Sequence, residues 1–186
     1  FYKPELQRAI EAGRVVTSEM EVFFDLCPCP IIGVTGSDGK TTTTTLISEF
    51  LKADGRRVHL GGNIGRPLLP EICDVKPEEV AVVELASFQL ISMRRSPNVA
   101  VITNLSPNHL DVHKDMDEYV NAKQNVLLHQ NAFGRTVLNA DNALTAASSA
   151  VTRGMTYLFS RSEKPTGACC SPDGKIHSSD AFISEQ

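Results

Sequence analysis

One short segment constrains the fold more than any other part of this chain. An apolar stretch at residues 31–35 runs directly into a turn that contains Gly36 and Gly39, and a helix-length segment begins at Lys40. This order is typical of a phosphate-binding loop, in which backbone N–H groups and the positive end of a helix dipole face phosphate oxygens. The segment therefore predicts that the chain binds a nucleoside triphosphate. An ordinary strand–turn–helix connection is the alternative.

The side chains of this loop favour the same interpretation. We expect the Lys40 amine to reach the terminal phosphates and the Thr41 hydroxyl to hold Mg²⁺. The usual spacing puts the first glycine at position 34, which is valine here, so this loop is a tighter variant with Gly36 inside it. The residues predicted to bind the nucleotide are Gly36, Ser37, Asp38, Gly39, Lys40, Thr41 and Thr42.

Strands and helices alternate along the rest of the chain. Segments with strand character follow the first strand at 57–60, 80–85, 99–103, 136–138 and 156–159. Helices are predicted at 5–12, 18–26, 40–54, 67–73, 88–94, 116–130 and 143–151. Apolar strands that alternate with helices predict an α/β fold of the phosphate-loop NTPase type, with a mostly parallel sheet flanked by helices. A hairpin is predicted around 171–175.

Composition excludes several classes of partner. The net charge of −4 over 186 residues argues against nucleic acid or an anionic membrane as the main partner. No apolar run approaches the roughly 20 residues that span a bilayer. Five cysteines without framework spacing fit a reduced, cytoplasmic compartment.

The cysteine pattern contains one feature that needs its own interpretation. The run Cys27-Pro28-Cys29-Pro30 is compatible with a metal clip. The two prolines and the lack of a second cysteine pair favour a plain connector instead. Cys169 and Cys170 are interpreted as strand residues.

Polar residues follow the predicted strands. In parallel sheets, ligands lie beyond the carboxyl ends of the strands, so residues 37–41, Asn63, 84–87 and 104–111 should converge on one site. Glu84 ends a buried strand, where its carboxylate is placed to hold Mg²⁺ directly or through water. A solvated strand end is the alternative.

Two histidines and an aspartate lie in the polar loop after the strand at 99–103. His109, Asp111 and His113 could form a zinc site, but no further ligand has the right spacing. For His109, a metal or phosphate contact and a structural role both remain open. His113 is interpreted as structural.

One lysine lies in the middle of an apolar helix stripe. Lys123 is four residues after Tyr119 and four before Leu127, which places it on the face that should be buried. A snorkelling side chain is one explanation. The other is a desolvated, partly neutral amine, which could add CO₂ and become a carbamate that supplies a carboxylate to a metal.

Four motifs together resemble the Mur ligase family of peptidoglycan synthesis. They lie at residues 35–42, 61–65, 84–90 and 104–111, within a resemblance that extends from about residue 17 to residue 141. The run Glu-Leu-Ala-Ser-Phe-Gln-Leu at 84–90 looks most like the member that adds D-glutamate to UDP-N-acetylmuramoyl-L-alanine. The resemblance implies an ATP- and Mg²⁺-dependent ligase that forms an amide through an acyl phosphate and releases ADP. A nucleotide-binding module without ligase chemistry, such as a regulatory ATPase, is the rival interpretation.

The resemblance also implies roles for individual residues. The metal ligands would be Thr41, Glu84, His109 and a carbamylated Lys123. The catalytic groups would be Lys40, His109 and Lys123. The UDP-sugar would contact Asn63 and Ser87. The family usually has serine at position 86, where this chain has alanine, so one hydroxyl contact to the substrate is expected to be missing.

The same resemblance predicts the domain organisation. Residues 1–29 are expected to be the tail of an N-terminal UDP-binding domain and its linker. Residues 30–186 are expected to be a central ATP-binding domain that is incomplete, with the C-terminal Rossmann-like domain absent. The partners would be small molecules, and the full-length parent would be a cytoplasmic monomer. The isolated chain is expected to be inactive as a ligase.

Overall fold

A single eight-stranded sheet organises the chain in the computed structural model, which describes residues 3–106 and 113–161 and the backbone of 167–170 and 176–178. The strands are β1 Ile31–Thr35, β2 Val58–Gly62, β3 Val80–Glu84, β4 Val99–Ile102, β5 Arg135–Asn139, β6 Met155–Ser160, β7 Gly167–Cys170 and β8 Ile176–Ser178. Their spatial order is β2-β3-β1-β4-β5-β6-β7-β8. Neighbours pair in parallel from β2 to β7, and β8 is antiparallel to β7. The predicted α/β fold with a mostly parallel sheet is confirmed.

Helices connect the parallel strands. They are α1 Pro4–Glu11, α2 Glu19–Leu26, α3 Lys40–Ala53, α4 Ser87–Leu90, α5 Met116–Leu128 and α6 Ala143–Ala147. Three begin at side-chain caps: Ser18 Oγ accepts from the Glu21 N–H at 3.1 Å, an Asp115 carboxylate oxygen accepts from the Glu118 N–H at 2.8 Å, and the Asn142 side-chain oxygen accepts from the Thr145 N–H at 2.9 Å. Among the described residues, no helix is long and apolar enough to cross a lipid bilayer.

The helix predicted at 88–94 is much shorter than expected, because it ends at Leu90. Two tertiary hydrogen bonds replace helical ones beyond this point. The Leu90 carbonyl accepts from the Asn125 side chain at 2.8 Å, and the Arg94 N–H donates to a Glu21 carboxylate oxygen at 2.8 Å. These partners lie far away in sequence, so the local pattern did not indicate them.

Two other predicted helices differ in type. The segment near 67–73 is a 3₁₀ helix, Leu69–Asp74, with Pro70 in its first turn. The helix predicted at 143–151 becomes a 3₁₀ turn from Ser148 onward. Ser148 Oγ donates to the Leu144 carbonyl at 3.1 Å and accepts from the Gln124 amide at 3.1 Å. Hydroxyl bonding of this kind competes with regular helical bonding.

The core lies along the central strands. All five residues of β3 are buried, as expected for a strand inside a parallel sheet. The side chains that pack in the same core cluster include Phe23, Leu85, Leu90, Ile102, Tyr119 and Leu127. The hairpin turn predicted at 171–175 lies outside the described residues, and the strands on either side of it, β7 and β8, pair antiparallel. Cys169 and Cys170 lie in β7, as predicted.

The strand order reverses direction between β1 and β4, in the middle of the sheet. From β1 the chain crosses to β2 on one side, whereas from β4 it continues to β5 on the other side. The loops that follow β1 and β4 therefore leave the sheet in opposite directions. Ligands of open α/β sheets bind at such a switch point, beyond the carboxyl ends of the strands.

Candidate functional site

The glycine-rich loop after β1 is held in place by the loop after β4. Gly36 has φ +148°, and a Cβ there would overlap the Thr103 hydroxyl. The Asn104 side-chain oxygen accepts from the Asp38 N–H at 2.9 Å, and the Thr103 hydroxyl donates to the Asp38 carbonyl at 2.6 Å. Gly39 ends the loop in the left-handed region at φ +76°. Glycine is required at Gly36 because no side chain fits there.

The first turn of α3 is built to face an anion. Its N-cap residue, Gly39, has no side chain with which to bond the first-turn N–H groups. Lys40 folds back over the loop, where its Nζ donates to the carbonyls of Gly36 at 2.9 Å and Ser37 at 2.8 Å. Thr41 and Thr42 are exposed in the same turn. The Lys40 amine and the first-turn N–H groups of α3 thus lie together at one helix end.

Glu84 is the centre of a hydrogen-bond network at the end of β3. Its side chain is buried. One carboxylate oxygen accepts from the Thr41 hydroxyl at 2.7 Å, and the other accepts from the Asn63 amide at 2.8 Å. The Asn63 N–H also donates to the Glu84 carbonyl at 2.8 Å. The structure therefore brings together three residues that the sequence placed in separate motifs.

Lys123 reaches the same loop from α5. Its side chain is 2% exposed, so the snorkelling interpretation is wrong. Nζ donates to the Gly36 carbonyl at 2.9 Å and lies 3.3 Å from the Thr35 hydroxyl oxygen. Burial, with a further contribution from nearby Lys40, lowers the pKa of Lys123 to about 7. The amine is therefore substantially neutral near neutral pH.

This shift makes the stability of the chain depend on pH with a definite sign. In the unfolded chain Lys123 keeps its proton up to about pH 10.5, whereas in the folded chain it loses the proton near pH 7. The unfolded state thus binds more protons between these values, and the free energy of unfolding rises with pH by about 1.4 kcal/mol per unit from this residue. Urea unfolding measures the free energy of unfolding of the chain and of Lys123→Met in CO₂-free buffer at pH 7, 8 and 9. As the pH rises, the free energy of unfolding of the unsubstituted chain should increase relative to that of Lys123→Met.

A matched control for this pH series is Lys52→Met. Lys52 is exposed and pairs with Glu49 at 2.8 Å on the surface of α3. The difference in the free energy of unfolding between Lys52→Met and the unsubstituted chain should stay constant over the same pH range. A flat difference for Lys123→Met as well would contradict a lowered lysine pKa.

Sequence reasoning gave no functional role to Tyr119, which links three parts of the site. Its hydroxyl lies 2.8 Å from Ser37 Oγ in the loop, and its ring centroid lies 4.9 Å from Lys123 Nζ. The ring also packs edge-on against His113, with centroids 5.3 Å apart. Burial raises the pKa of the Tyr119 hydroxyl. The sequence places Tyr119 one helical turn before Lys123, which could have indicated a shared site. The apolar stripe of the helix explained Tyr119 as a core residue alone.

Ser87 is bound by a histidine rather than left open. His113 Nε2 lies 2.8 Å from Ser87 Oγ, and Nδ1 lies 3.2 Å from a Glu118 carboxylate oxygen. The Glu118 carboxylate can only accept, so Nδ1 carries a proton, and in the neutral form of the ring Nε2 accepts from the Ser87 hydroxyl. The oxygen of Ser87 is then left to accept a hydrogen bond from any further group. His113 is buried, as its structural interpretation requires.

The zinc interpretation concerns residues that the structure does not describe. His109 and Asp111 lie outside the described residues, so their predicted roles stay predictions. Within the described ranges, no group of three His, Cys, Asp or Glu side chains is placed to hold a metal ion. The oxygen donors brought together there are those of Thr41 and Glu84, a donor set that suits Mg²⁺.

The fold and this site define an α/β domain built around a glycine-rich loop at a helix N-terminus. The chain belongs to the Mur ligase middle domain family, whose model matches residues 34–177. A UDP-N-acetylmuramoylalanine–D-glutamate ligase from Acetivibrio thermocellus is 58% identical over 158 residues, which are 85% of this chain and 34% of that protein. The ligase of the same name from Clostridium botulinum is 49% identical over 174 residues, 94% of this chain and 38% of that protein. The chain thus spans little more than a third of these curated relatives.

Solved structures share the fold at low sequence identity. The MPL ligase from Neisseria meningitides matches with a TM-score of 0.66 at 16% identity, over 93% of this chain and 60% of that chain. MurF from Acinetobacter baumannii matches with a TM-score of 0.64 at 19% identity, over 86% and 38%. MurF from Thermotoga maritima, solved with ADP, matches with a TM-score of 0.61 at 22% identity, over 82% and 39%. These likenesses confirm the fold.

Proposed function

We propose that this chain is the ATP-binding part of a ligase that joins D-glutamate to UDP-N-acetylmuramoyl-L-alanine in peptidoglycan synthesis. The observation that carries the proposal is the convergence of Thr41 and Asn63 on the buried Glu84 carboxylate, beside the Lys40 loop. The relatives named above, at 49% and 58% identity, support the choice of substrate. The ADP bound in the solved Thermotoga maritima neighbour supports the choice of nucleotide.

The proposed reaction has two chemical steps. The carboxylate of the UDP-sugar substrate attacks the γ-phosphate of ATP, which gives an acyl phosphate and ADP. The amine of D-glutamate then attacks the acyl carbon, inorganic phosphate leaves, and an amide forms. Phosphoryl transfer depends mainly on positioning and on neutralising charge.

The loop residues supply that positioning and charge. The first-turn N–H groups of α3 and the Lys40 amine would hold the terminal phosphates, because they already lie together at the helix end. Thr41 and Glu84 would hold Mg²⁺ through oxygen atoms, as the hydroxyl and carboxylate are 2.7 Å apart. When bound, Mg²⁺ would neutralise charge on the phosphates.

Lys123 fits the role of a carbamylated lysine. A neutral amine can attack CO₂, and the lowered pKa leaves Lys123 substantially neutral near pH 7. The product is a carbamate with two oxygen atoms and a negative charge, which would replace the buried amine beside Lys40. A carboxylate-like group at this position would add to the metal-binding oxygens of the site.

The substrate side of the site is proposed to involve Asn63 and Ser87. Asn63 is exposed, and its side-chain amide donates to the Glu84 carboxylate. It therefore lies between the proposed metal-binding carboxylate and the solvent beyond the sheet. Ser87 would present an acceptor oxygen, because its hydroxyl hydrogen is directed at Nε2 of a neutral His113, 2.8 Å away. Position 86 is alanine, so one hydroxyl contact to the substrate would be missing.

We also infer how the chain fits into its parent. Residues 1–29 would be the end of an N-terminal UDP-binding domain with its linker, and 30–186 the central ATP-binding domain, in a parent that carries D-glutamate on a C-terminal Rossmann-like domain. The share of the curated relatives that the chain spans, 34% and 38%, supports this division. A monomeric, cytoplasmic enzyme would follow from the family resemblance, and light scattering of the parent protein tests the oligomeric state.

The parent protein and this chain should differ sharply in activity. The full-length protein with ATP, Mg²⁺, UDP-N-acetylmuramoyl-L-alanine and D-glutamate should release phosphate and form the amide, and it should form none when L-glutamate replaces D-glutamate. The chain alone should form no amide, because we assign most contacts to the UDP-sugar and D-glutamate to other domains. At most it should bind nucleotide weakly with Mg²⁺.

Two results of this comparison would change the proposal. Nucleotide hydrolysis by the full-length protein without any amide product would favour the rival regulatory ATPase. Robust amide formation by the 186-residue chain would show that the proposed domain division is wrong. Mass spectrometry of the UDP-sugar product and a phosphate assay distinguish these results.

A further inference from the structure

Two cysteines meet in the connector between α2 and β1. Cys27 is the C-cap residue of α2, and Cys29 lies two residues before β1 begins. Cys29 is buried in the core cluster, and Cys27 packs against that cluster from a half-buried position. The proposed ligase chemistry uses neither thiol, so the pair requires its own explanation.

The two sulfur atoms are already in contact. Cys27 Sγ and Cys29 Sγ are 3.5 Å apart, close enough for an S–H···S hydrogen bond. A disulfide bond is about 2.05 Å long, so the sulfur atoms need to approach by about 1.5 Å. Side chains two residues apart in an extended segment point to the same side, and Pro28 between them restricts the backbone.

The surroundings of the pair argue against a metal clip. In the part of the chain that the structure describes, no further His, Cys, Asp or Glu side chain joins these two as a potential third metal ligand. A stable thiolate site for zinc needs four ligands. Two thiols in contact, with no further metal ligand beside them, are placed to form a disulfide when an oxidant is supplied.

A cavity beside the connector gives access to the pair. A cavity of about 370 Å³ borders the connector and is lined by Phe24, Cys27, Cys29, Arg95 and Asn98, among others. Cys27 faces it from the half-buried position, whereas Cys29 is only 5% exposed. Burial, together with the hydrogen bond to Cys27, raises the pKa of the Cys29 thiol to about 12. Cys27 is therefore the thiol that an external reagent meets first.

We propose that Cys27 and Cys29 form a modification site that closes reversibly to an intrachain disulfide by exchange with a low-molecular-weight disulfide. The Cys27 thiolate attacks one sulfur of the reagent, forms a mixed disulfide and releases one thiol. Cys29 then loses its proton to solvent and, as the thiolate, attacks Cys27 sulfur, and the second reagent thiolate leaves and takes up a proton. The raised pKa of Cys29 makes this the slower of the two steps. The chain loses two protons and two electrons, and the reagent disulfide gains them as two thiols.

The disulfide would lie in the connector between α2 and β1, the strand that leads into the phosphate loop. Glu21 of α2 is already bonded to Arg94, and Asp25 to Arg95, so this helix is anchored to the body of the domain. The ring closes only three residues, so its effect on unfolding entropy is small. The expected consequence is a local fixing of the connector, and thiol chemistry rather than melting temperature is the right measurement.

The sequence permits a direct test with glutathione disulfide as the reagent. Trypsin cleaves after Arg14 and Lys40, so residues 15–40 form a peptide that contains Cys27 and Cys29 and no other cysteine. After treatment of the folded chain, acid quenching and digestion, this peptide should be two hydrogen atoms lighter. Dithiothreitol should restore the original mass.

Internal controls separate closure from ordinary thiol oxidation. Cys29→Ser should trap a glutathione adduct on Cys27, and Cys27→Ser should leave Cys29 unmodified because it is buried. The exposed Cys73, which lies in a different peptide, should carry an adduct that does not close. A stable adduct on Cys27 in the unsubstituted chain, or no reaction there while Cys73 reacts, would overturn the proposal.

Discussion

Replacement of Lys40 by alanine should lower ATP-dependent amide formation by the full-length protein at least about 100-fold. The physical reason is the position of the amine, which lies over the loop at the N-terminus of α3 and bonds the carbonyls of Gly36 and Ser37. In the proposed reaction this cation neutralises charge that develops on the transferring phosphoryl group. Steady-state kinetics with saturating ATP and UDP-sugar measure the effect.

The control for this substitution is Lys52→Ala on the same helix. Lys52 pairs with Glu49 on the surface, away from the loop, and its removal should leave the rate within about twofold. Circular dichroism of both variants checks that the fold is intact. A Lys40→Ala enzyme that retains the rate within a few-fold, with a normal fold, would remove this loop from the proposed chemistry.

Replacement of Lys123 by alanine should nearly abolish activity, and added formate or acetate should restore part of it. Alanine removes both the amine that bonds the Gly36 carbonyl and the carbamate that we propose forms on it. A small carboxylate can occupy the vacated space and supply the missing oxygen atoms to the metal. Rates measured against formate concentration should rise and then saturate.

Two comparisons make this rescue specific. Lys40→Ala should not recover with formate, because a carboxylate cannot replace a cation. Chloride at the same ionic strength should not rescue Lys123→Ala. A Lys123→Ala enzyme with normal activity would return the residue to a purely structural role, and a loss that no carboxylate restores would argue against the carbamate.

The two lysines are also coupled to each other. Both donate to the carbonyl of Gly36, from α3 and from α5. Two cations on one acceptor repel, and nearby Lys40 contributes to the lowered pKa of Lys123. Converting the buried amine to an anionic carbamate would turn this repulsion into attraction. The geometry of the loop thus disfavours protonation of Lys123.

Several features of this protein could be inferred from residue order alone. The loop from Gly36 to Thr42 needs glycines and a lysine at fixed spacing, which short-range chemistry determines. The central strands β1, β3 and β4 are largely apolar, so they could lie only inside a covered sheet, and the parallel arrangement followed. The caps at Ser18 and Asp115 were equally local. The strand and cap predictions succeeded because each depends on neighbours a few residues apart, and the phosphate contacts of the loop stay predictions.

Only the tertiary structure decided which distant groups meet. Thr41, Asn63 and Glu84 are separated in sequence, and their contact depends on the strand order β2-β3-β1. Lys123 could not be distinguished from a snorkelling lysine by helical spacing, because spacing gives the face of a helix but not the depth to which that face is covered. Packing against the phosphate loop buries its amine and lowers its pKa. Tyr119 and the shortened α4 were missed for the same reason, since their partners, Ser37 and Glu21 among them, come from other elements of the sheet and its helices.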